Sequence, residues 1–73
     1  MNEYIVSTSF DKTNREAQII SGCAENIDEF IEKAFIDDYF EYYHNEYMDE
    51  AILKFAEPNN MSKVYFVFPN ILS

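Results

Sequence analysis

Residues 25–50 read ENIDEFIEKAFIDDYFEYYHNEYMDE, and this stretch decides how the rest of the chain is interpreted. It holds ten of the fourteen acidic residues and a single basic residue, Lys33. Its formal charge of −9 equals that of the whole 73-residue chain, because the remaining acidic and basic residues balance. The sequence therefore combines a neutral scaffold with one acidic, aromatic-rich segment.

The first part of this segment has the signals of a helix. Asn26 is a good N-cap residue, and Glu29 three positions later completes the capping-box pattern. Asp28 and Glu29 lie where the positive end of the helix dipole favours carboxylates. Apolar residues recur at the helical spacing, as Ile27, Phe30, Ile31, Ala34 and Phe35. This part predicts an amphipathic helix.

The second part carries a different apolar stripe. At about 100° per residue it lies on the opposite side of a helix from the first stripe, and it consists of Ile36, Tyr39, Phe40, Tyr43 and Tyr47. One straight helix cannot bury both stripes in one core. Either the helix breaks within residues 35–41 and the aromatic stripe turns back to the core, or the helix stays straight and the stripe faces a partner. A small domain needs its aromatic residues in the core, which favours the break.

A third stripe follows in residues 48–55. Its apolar residues have i, i+3, i+4, i+7 spacing, as Met48, Ala51, Ile52 and Phe55. Asn45 is a plausible cap, and Pro58 would end the helix. This pattern predicts a second helix.

The flanking regions read as strands. Residues 3–10 alternate in polarity, residues 11–14 supply turn residues, and residues 15–23 alternate again, which predicts a β-hairpin. Residues 63–68, KVYFVF, predict a central strand after a turn at 57–60, and Ile71 and Leu72 are expected to cover the edge of the core. The predicted fold is one α+β domain, residues 1–73, of order β-β-α-α-β. It is a three-stranded antiparallel sheet with a bent or broken acidic helical region packed on one face.

Composition limits the class of protein. At 48% hydrophobic residues the chain is expected to fold. Cys23 is the only cysteine, which excludes an intramolecular disulfide, and it is predicted to be a buried structural thiol. No apolar run is long enough to span a bilayer and no signal peptide pattern starts at Met1, so a complete cytoplasmic protein is expected. A homodimer, which would add burial to so small a chain, is left open.

The sequence has no recognisable catalytic or metal-binding pattern. His44 is the only histidine and lacks Cys or His partners at zinc-ligand spacing, so we expect an exposed helix residue. The acidic run contains no glycine, as a calcium loop would require. Glycine-rich phosphate loops and activated serine nucleophiles are also missing. The prediction is a protein that is not an enzyme and needs no cofactor or metal.

The acidic residues themselves indicate a partner. A merely solvated helix face usually mixes charge signs, and this segment has one lysine among ten acids. Direct binding to nucleic acid or to anionic membranes is disfavoured, because both need Lys and Arg. If the 26 residues were helical they would span about 39 Å, with one carboxylate per roughly 4 Å. That density is close to the phosphate spacing of about 3.4 Å along one DNA strand.

A basic protein, and among such proteins one that binds nucleic acid, is therefore the predicted partner. Aromatic side chains among the acids could anchor such a contact, and Tyr42, which lies off the second stripe, is expected to be exposed. The residues predicted to bind the partner are Asp37, Asp38, Glu41, Tyr42, Glu46, Asp49 and Glu50.

In size and charge the chain resembles the phage-encoded DNA mimics: anti-restriction proteins, uracil-DNA glycosylase inhibitors and some anti-CRISPR proteins. The resemblance implies an inhibitor, encoded by a phage or mobile element, that occupies the nucleic-acid-binding groove of a basic target. The alternative is an acidic antitoxin or adaptor that binds one basic protein without nucleic-acid mimicry. An enzyme or a metal-binding module is the third class, and no motif favours it.

Overall fold

A computed structural model of the protein describes residues 1–56 and 62–70. The described strands and helix are β1 (Asn2–Ser7), β2 (Gln18–Ala24), α1 (Ile27–Ala34), β3 (Phe40–Asn45), β4 (Glu50–Ala56) and β5 (Ser62–Pro69). A short 3-10 turn, Arg15–Ala17, precedes β2. Neighbouring strands of the sheet are antiparallel, and their order is β2-β1-β5-β4-β3.

The predicted three-stranded sheet with a long acidic helical region is wrong. Helix α1 ends at Ala34, with Phe35 as its C-cap residue. The chain thus leaves the helix near the predicted break, but it continues as a β-hairpin instead of a second helix. Strands β3 and β4 pair from Phe40 with Phe55 to Asn45 with Glu50, so the sheet has five strands.

In β4 of this hairpin, burial follows a two-residue period instead of a helical one. Along β4, Ala51 and Leu53 are buried whereas Ile52 and Lys54 are exposed. Tyrosine and phenylalanine, frequent in β3, favour strands. Asn45 does not cap a helix, and its side chain accepts a hydrogen bond of 3.1 Å from the Tyr47 N–H within the connecting turn.

Helix α1 confirms the prediction made for the first part of the acidic segment. The Asn26 side chain accepts a 2.9 Å hydrogen bond from the Glu29 N–H. The Glu29 carboxylate reaches back to the Glu25 N–H at 3.4 Å, one residue before the N–H that a standard capping box uses. Ile27, Phe30 and Ile31 are buried, as the apolar stripe predicts.

The hairpin of β1 and β2 and the central position of β5 are also confirmed. Strand β2 begins at Gln18, later than predicted, because Arg15–Ala17 forms the 3-10 turn. Strand β5 lies between β1 and β4. The turn predicted at 57–60 and the packing of Ile71 and Leu72 lie outside the described residues.

Helix α1 covers one side of the sheet, here called the helix side, where the main core forms. The buried residues of this core are Tyr4, Val6, Ala24, Ile27, Phe30, Ile31, Phe35, Ala51, Leu53 and Val67. The other side, called the open face, is covered in part by the β1–β2 connection. There Phe10 packs edge-on against Phe66 with ring centroids 5.1 Å apart, and the Lys12 ammonium lies 5.9 Å from the Phe68 ring.

The expectation that the second aromatic stripe turns back to the core is wrong. Of that stripe, Phe40 packs against the core. Ile36, Tyr39 and Tyr47 are 80%, 93% and 101% exposed, and Tyr43 is also exposed. A set of large side chains that a small domain could have buried is thus left at the surface.

Cys23 is exposed on β2, which corrects the prediction of a buried thiol. The side chain of this strand position points away from α1, because its neighbours Gly22 and Ala24 face the helix side. In the described ranges 1–56 and 62–70, no helix has the length and apolar character needed to cross a membrane.

Candidate protein-binding edge

Strand β3 forms one edge of the sheet. In the part of the chain that the structure describes, it pairs with β4 alone, so one row of its backbone N–H and C=O groups has no strand beside it. We call residues 37–50, which comprise β3, the loop before it, the turn after it and the first residue of β4, the acidic edge. The acidic edge contains six acidic residues, four tyrosines and no Lys or Arg.

Alternation along β3 divides its side chains between the two sides of the sheet. Tyr42 is paired with the buried Leu53 and therefore shares the helix side. Glu41 and Tyr43 point to the open face, where the Tyr43 hydroxyl donates a 2.9 Å hydrogen bond to Glu41 Oε2. This hydrogen bond raises the pKa of Tyr43, since it stabilises the protonated phenol beside a carboxylate.

On the helix side, two carboxylates from other elements flank His44. Its Nδ1 lies 3.6 Å from Asp28 Oδ1, and its Nε2 lies 3.9 Å from Asp49 Oδ1. Asp28 also accepts a hydrogen bond from the Tyr42 hydroxyl. The predicted exposed helix histidine is therefore wrong, because His44 lies on a strand and its side chain is 19% exposed.

Burial and these carboxylates together raise the pKa values of two tyrosines, Tyr42 and Tyr4. Burial, followed by the hydrogen bond to Asp28, raises the pKa of Tyr42. Burial, followed by the hydrogen bond to Asp49, raises the pKa of Tyr4. The hydroxyls of Tyr4 and Tyr42 therefore stay protonated donors to the two carboxylates over the ordinary pH range. This network ties the middle of β3 to the first turn of α1 and to β1.

The open face near β3 contains an ion pair and an apolar groove. Lys12, from the β1–β2 connection, forms an ion pair with Glu50 at the start of β4. Beside it lies a groove with a cavity volume of about 240 Å³, whose apolar lining includes Phe10, Tyr43, Ile52, Phe66 and Phe68. Glu50 is thus already matched by a cation and is the least available carboxylate of the acidic edge.

The structure brings the predicted partner-binding residues around β3, but on both sides of the sheet instead of along one helix face. Asp37, Asp38 and Glu46 lie beyond the ends of the strand and are exposed. Tyr42 and Asp49 lie on the helix side, where they form hydrogen bonds or lie near His44. Glu50 is ion-paired, and Glu41 lies on the open face. The charge density calculated for a 26-residue helix does not apply, since α1 spans Ile27–Ala34.

Three residues of this surface are not among the predicted partner-binding residues. Tyr39 and Tyr47 are far more exposed than Tyr42, at 93% and 101% against 38%. The helical stripe favours the core for both of them, with a surface that faces a partner as the alternative. Asp28 was read only as part of the first helical turn, although it contacts Tyr42, 14 positions away. A strand predicted over 40–45 would have placed both tyrosines beyond its ends, outside the helical stripe.

No metal centre is found here: among the described residues, no three His, Cys, Asp or Glu side chains lie close enough together to hold an ion. Comparison of the chain with known protein families, with curated proteins and with solved structures found no match. Geometry and charge are therefore what bear on function.

Proposed function

We propose that the protein is a cytoplasmic inhibitor that binds a basic protein through the acidic edge. It would occupy the nucleic-acid-binding groove of that partner as a DNA mimic. One observation carries this proposal: fourteen consecutive residues, wrapped around an edge strand, hold six carboxylates and no Lys or Arg. The two most exposed tyrosines of the chain, Tyr39 and Tyr47, lie at either end of that strand.

Charge supports attraction to a basic surface. The chain outside residues 25–50 is formally neutral, so the field of the protein originates from α1 and the acidic edge. A concentrated field of one sign steers an oppositely charged partner into the correct orientation and raises its rate of association. A groove lined with Lys and Arg for binding phosphates is such a surface.

The exposed tyrosines support a specific contact in addition to attraction. Tyrosine is enriched at interface hot spots, because its ring buries a large apolar area while its hydroxyl keeps a hydrogen bond. Tyr39 and Tyr47 are 93% and 101% exposed, so their rings contribute little to the core. Arginine side chains of a partner could stack on these rings while they pair with Asp38 or Glu46.

A second candidate, an adaptor or antitoxin that binds one basic protein without mimicry, is favoured by the apolar groove of the open face. The exposed rings of Phe10 and Tyr43 border this groove, at 70% and 57% exposure. A surface that replaces a nucleic acid needs acids more than apolar area, whereas an adaptor uses apolar area as its interface core. Both candidates bind a basic protein, and they differ in whether nucleic acid is displaced.

The test has two stages. Immobilised protein captures its partner from a lysate, and a bait with Asp38→Lys and Glu41→Lys identifies proteins that depend on the acidic edge. The partner's complex with a labelled oligonucleotide is then titrated with wild-type protein. We expect stoichiometric release of the oligonucleotide. Formation of a ternary complex, in which protein and oligonucleotide are bound together, would overturn mimicry and favour the adaptor.

A further inference from the structure

We infer that the basic partner docks by strand addition: an extended, Lys- or Arg-containing segment pairs with β3 as a sixth strand of the sheet. This inference rests on the proposed function, in which a basic protein binds the acidic edge. It adds the mode of recognition, namely main-chain hydrogen bonds along β3 with carboxylates on both sides of the added strand.

The backbone of β3 is suited to pairing. Its six residues are in continuous register with β4, without an irregularity. A strand of this length extends about 20 Å, and no other strand of the described residues pairs with its outer N–H and C=O groups. Strand β2, at the opposite edge, differs, because its pairing with β1 shifts between Val6 and Ser7. Such a bulge twists an edge and hinders the addition of another strand.

The charge of this edge favours a basic segment of a partner over a second copy of the chain. The acidic edge has six carboxylates and no Lys or Arg, so a second copy of the acidic edge would bring two segments of like charge together. Charges on an edge strand oppose self-association for this reason. A basic segment meets no such repulsion. The strand at this edge is therefore protected against its own copies and open to a partner of opposite charge.

The carboxylates lie on both sides of the sheet, so that basic side chains on either face of an added strand would have an acidic side chain nearby. On the open face, Glu41 is exposed on β3 itself. On the helix side, Asp28 and Asp49 flank His44 within 3.6 and 3.9 Å. Asp38 and Glu46 lie just beyond the two ends of the strand. Side chains of neighbouring strands lie about 4.5–5.5 Å apart at their Cβ atoms, a separation that Lys and Arg span easily.

The experiment uses the intact protein and a defined probe. The probe is an acetylated octapeptide of alternating lysine and valine, labelled with a fluorophore. Its control is the same peptide N-methylated at its four central residues, which keeps the charge and removes the backbone donors needed for pairing along either edge. Fluorescence anisotropy at low salt gives both affinities, and amide hydrogen exchange locates the bound peptide.

We expect the unmethylated peptide to bind about tenfold more tightly or better, because only it can form the ladder of hydrogen bonds. We also expect slower exchange at outward-facing amides of residues 40–45 and unchanged exchange in β2. Equal affinities would overturn strand addition and leave charge alone as the mode of binding, as would protection of β2 instead of β3. Failure of both peptides to bind would overturn this inference too. The proposed function is decided separately, by release of the oligonucleotide from the captured partner.

Discussion

Tyr4 on β1 and Asp49 in the β3–β4 turn are 45 positions apart, and the Tyr4 hydroxyl donates a 3.1 Å hydrogen bond to Asp49 Oδ2. Tyr4 is 1% exposed, so its hydroxyl has exchanged water for this carboxylate. Asp49 has a φ of 49°, in the left-handed region that non-glycine residues seldom adopt. The hydrogen bond therefore fixes an unfavourable turn conformation and anchors the acidic edge to the centre of the core.

Replacing Tyr4 with Phe should destabilise the protein by about 1.5 kcal/mol, because a partly buried hydrogen bond to a charged acceptor is lost. Urea unfolding followed by circular dichroism measures the loss. The matched control is Tyr39→Phe, at a position 93% exposed, for which we expect a change below about 0.5 kcal/mol. Equal midpoints for both variants would show that the buried hydroxyl contributes nothing.

Stability should decline in alkaline solution above about pH 10. The pKa values of Tyr4, Tyr42 and Tyr43 are raised in the folded protein, chiefly by burial for the first two and by the Glu41 hydrogen bond for Tyr43. Between the unfolded value near 10 and the raised folded values, the unfolded chain loses these protons first, so ionisation favours unfolding. The contribution is fully present below pH 10. Urea unfolding at a series of pH values should give a shallower decline for Tyr42→Phe than for wild type, and parallel curves would contradict this assignment.

The cap of α1 offers a test away from the acidic edge. Asn26 accepts the Glu29 N–H at 2.9 Å, so Asn26→Ala should cost about 1 kcal/mol. Asn26→Asp keeps an acceptor at the same position and should retain most of the stability. Thermal unfolding of the two variants beside wild type measures the difference. If the cap contributed no stability, the two variants and the wild type would have the same melting temperature.

The local signals in the sequence predict α1, the first hairpin and β5 because each has one dominant pattern. Residues 48–56 carry two patterns at once. Ala51, Ile52 and Phe55 fit a helical period, whereas Ala51, Leu53 and Phe55 fit the two-residue period that the fold adopts. Pairing with β3 and β5 decides between them, and pairing is a tertiary effect that one segment does not reveal.

The candidate site shows the same division between local and tertiary information. Composition alone marks residues 37–50 as acidic and aromatic. The meeting of Asp28 and Asp49 around His44 depends on how α1 and the β3–β4 turn lie against the sheet. Tyr39 and Tyr47 are exposed because residues 40–45 form a strand instead of a helix. Their spacing would place both on one face of a helix, but both lie beyond the ends of the strand.

Binding of the captured partner should weaken steeply with added salt. Attraction between exposed charges is screened over about 8–10 Å at ordinary ionic strength, and over about 3 Å at 1 M. Affinity is to be measured by titration from low to high sodium chloride. An affinity independent of salt would indicate an interface dominated by the apolar groove around Phe10 and Tyr43, and thus the adaptor.

The last prediction concerns charge reversal at the acidic edge. Asp38→Lys combined with Glu41→Lys should abolish displacement of the oligonucleotide, since both side chains are exposed and their reversal replaces attraction with repulsion. The fold should survive, because surface substitutions usually change stability by less than about 0.5 kcal/mol.

Glu3→Lys combined with Glu16→Lys is the matched control, which reverses the same charge at exposed positions outside the acidic edge. Net charge is then equal in the two variants, and only its location differs. Displacement lost in the first and kept in the second would locate binding at the acidic edge, with thermal melts run to verify folding. If both variants lose displacement equally, the effect is due to overall charge. If the first variant displaces the oligonucleotide as well as the wild type does, these carboxylates are only a solvated surface.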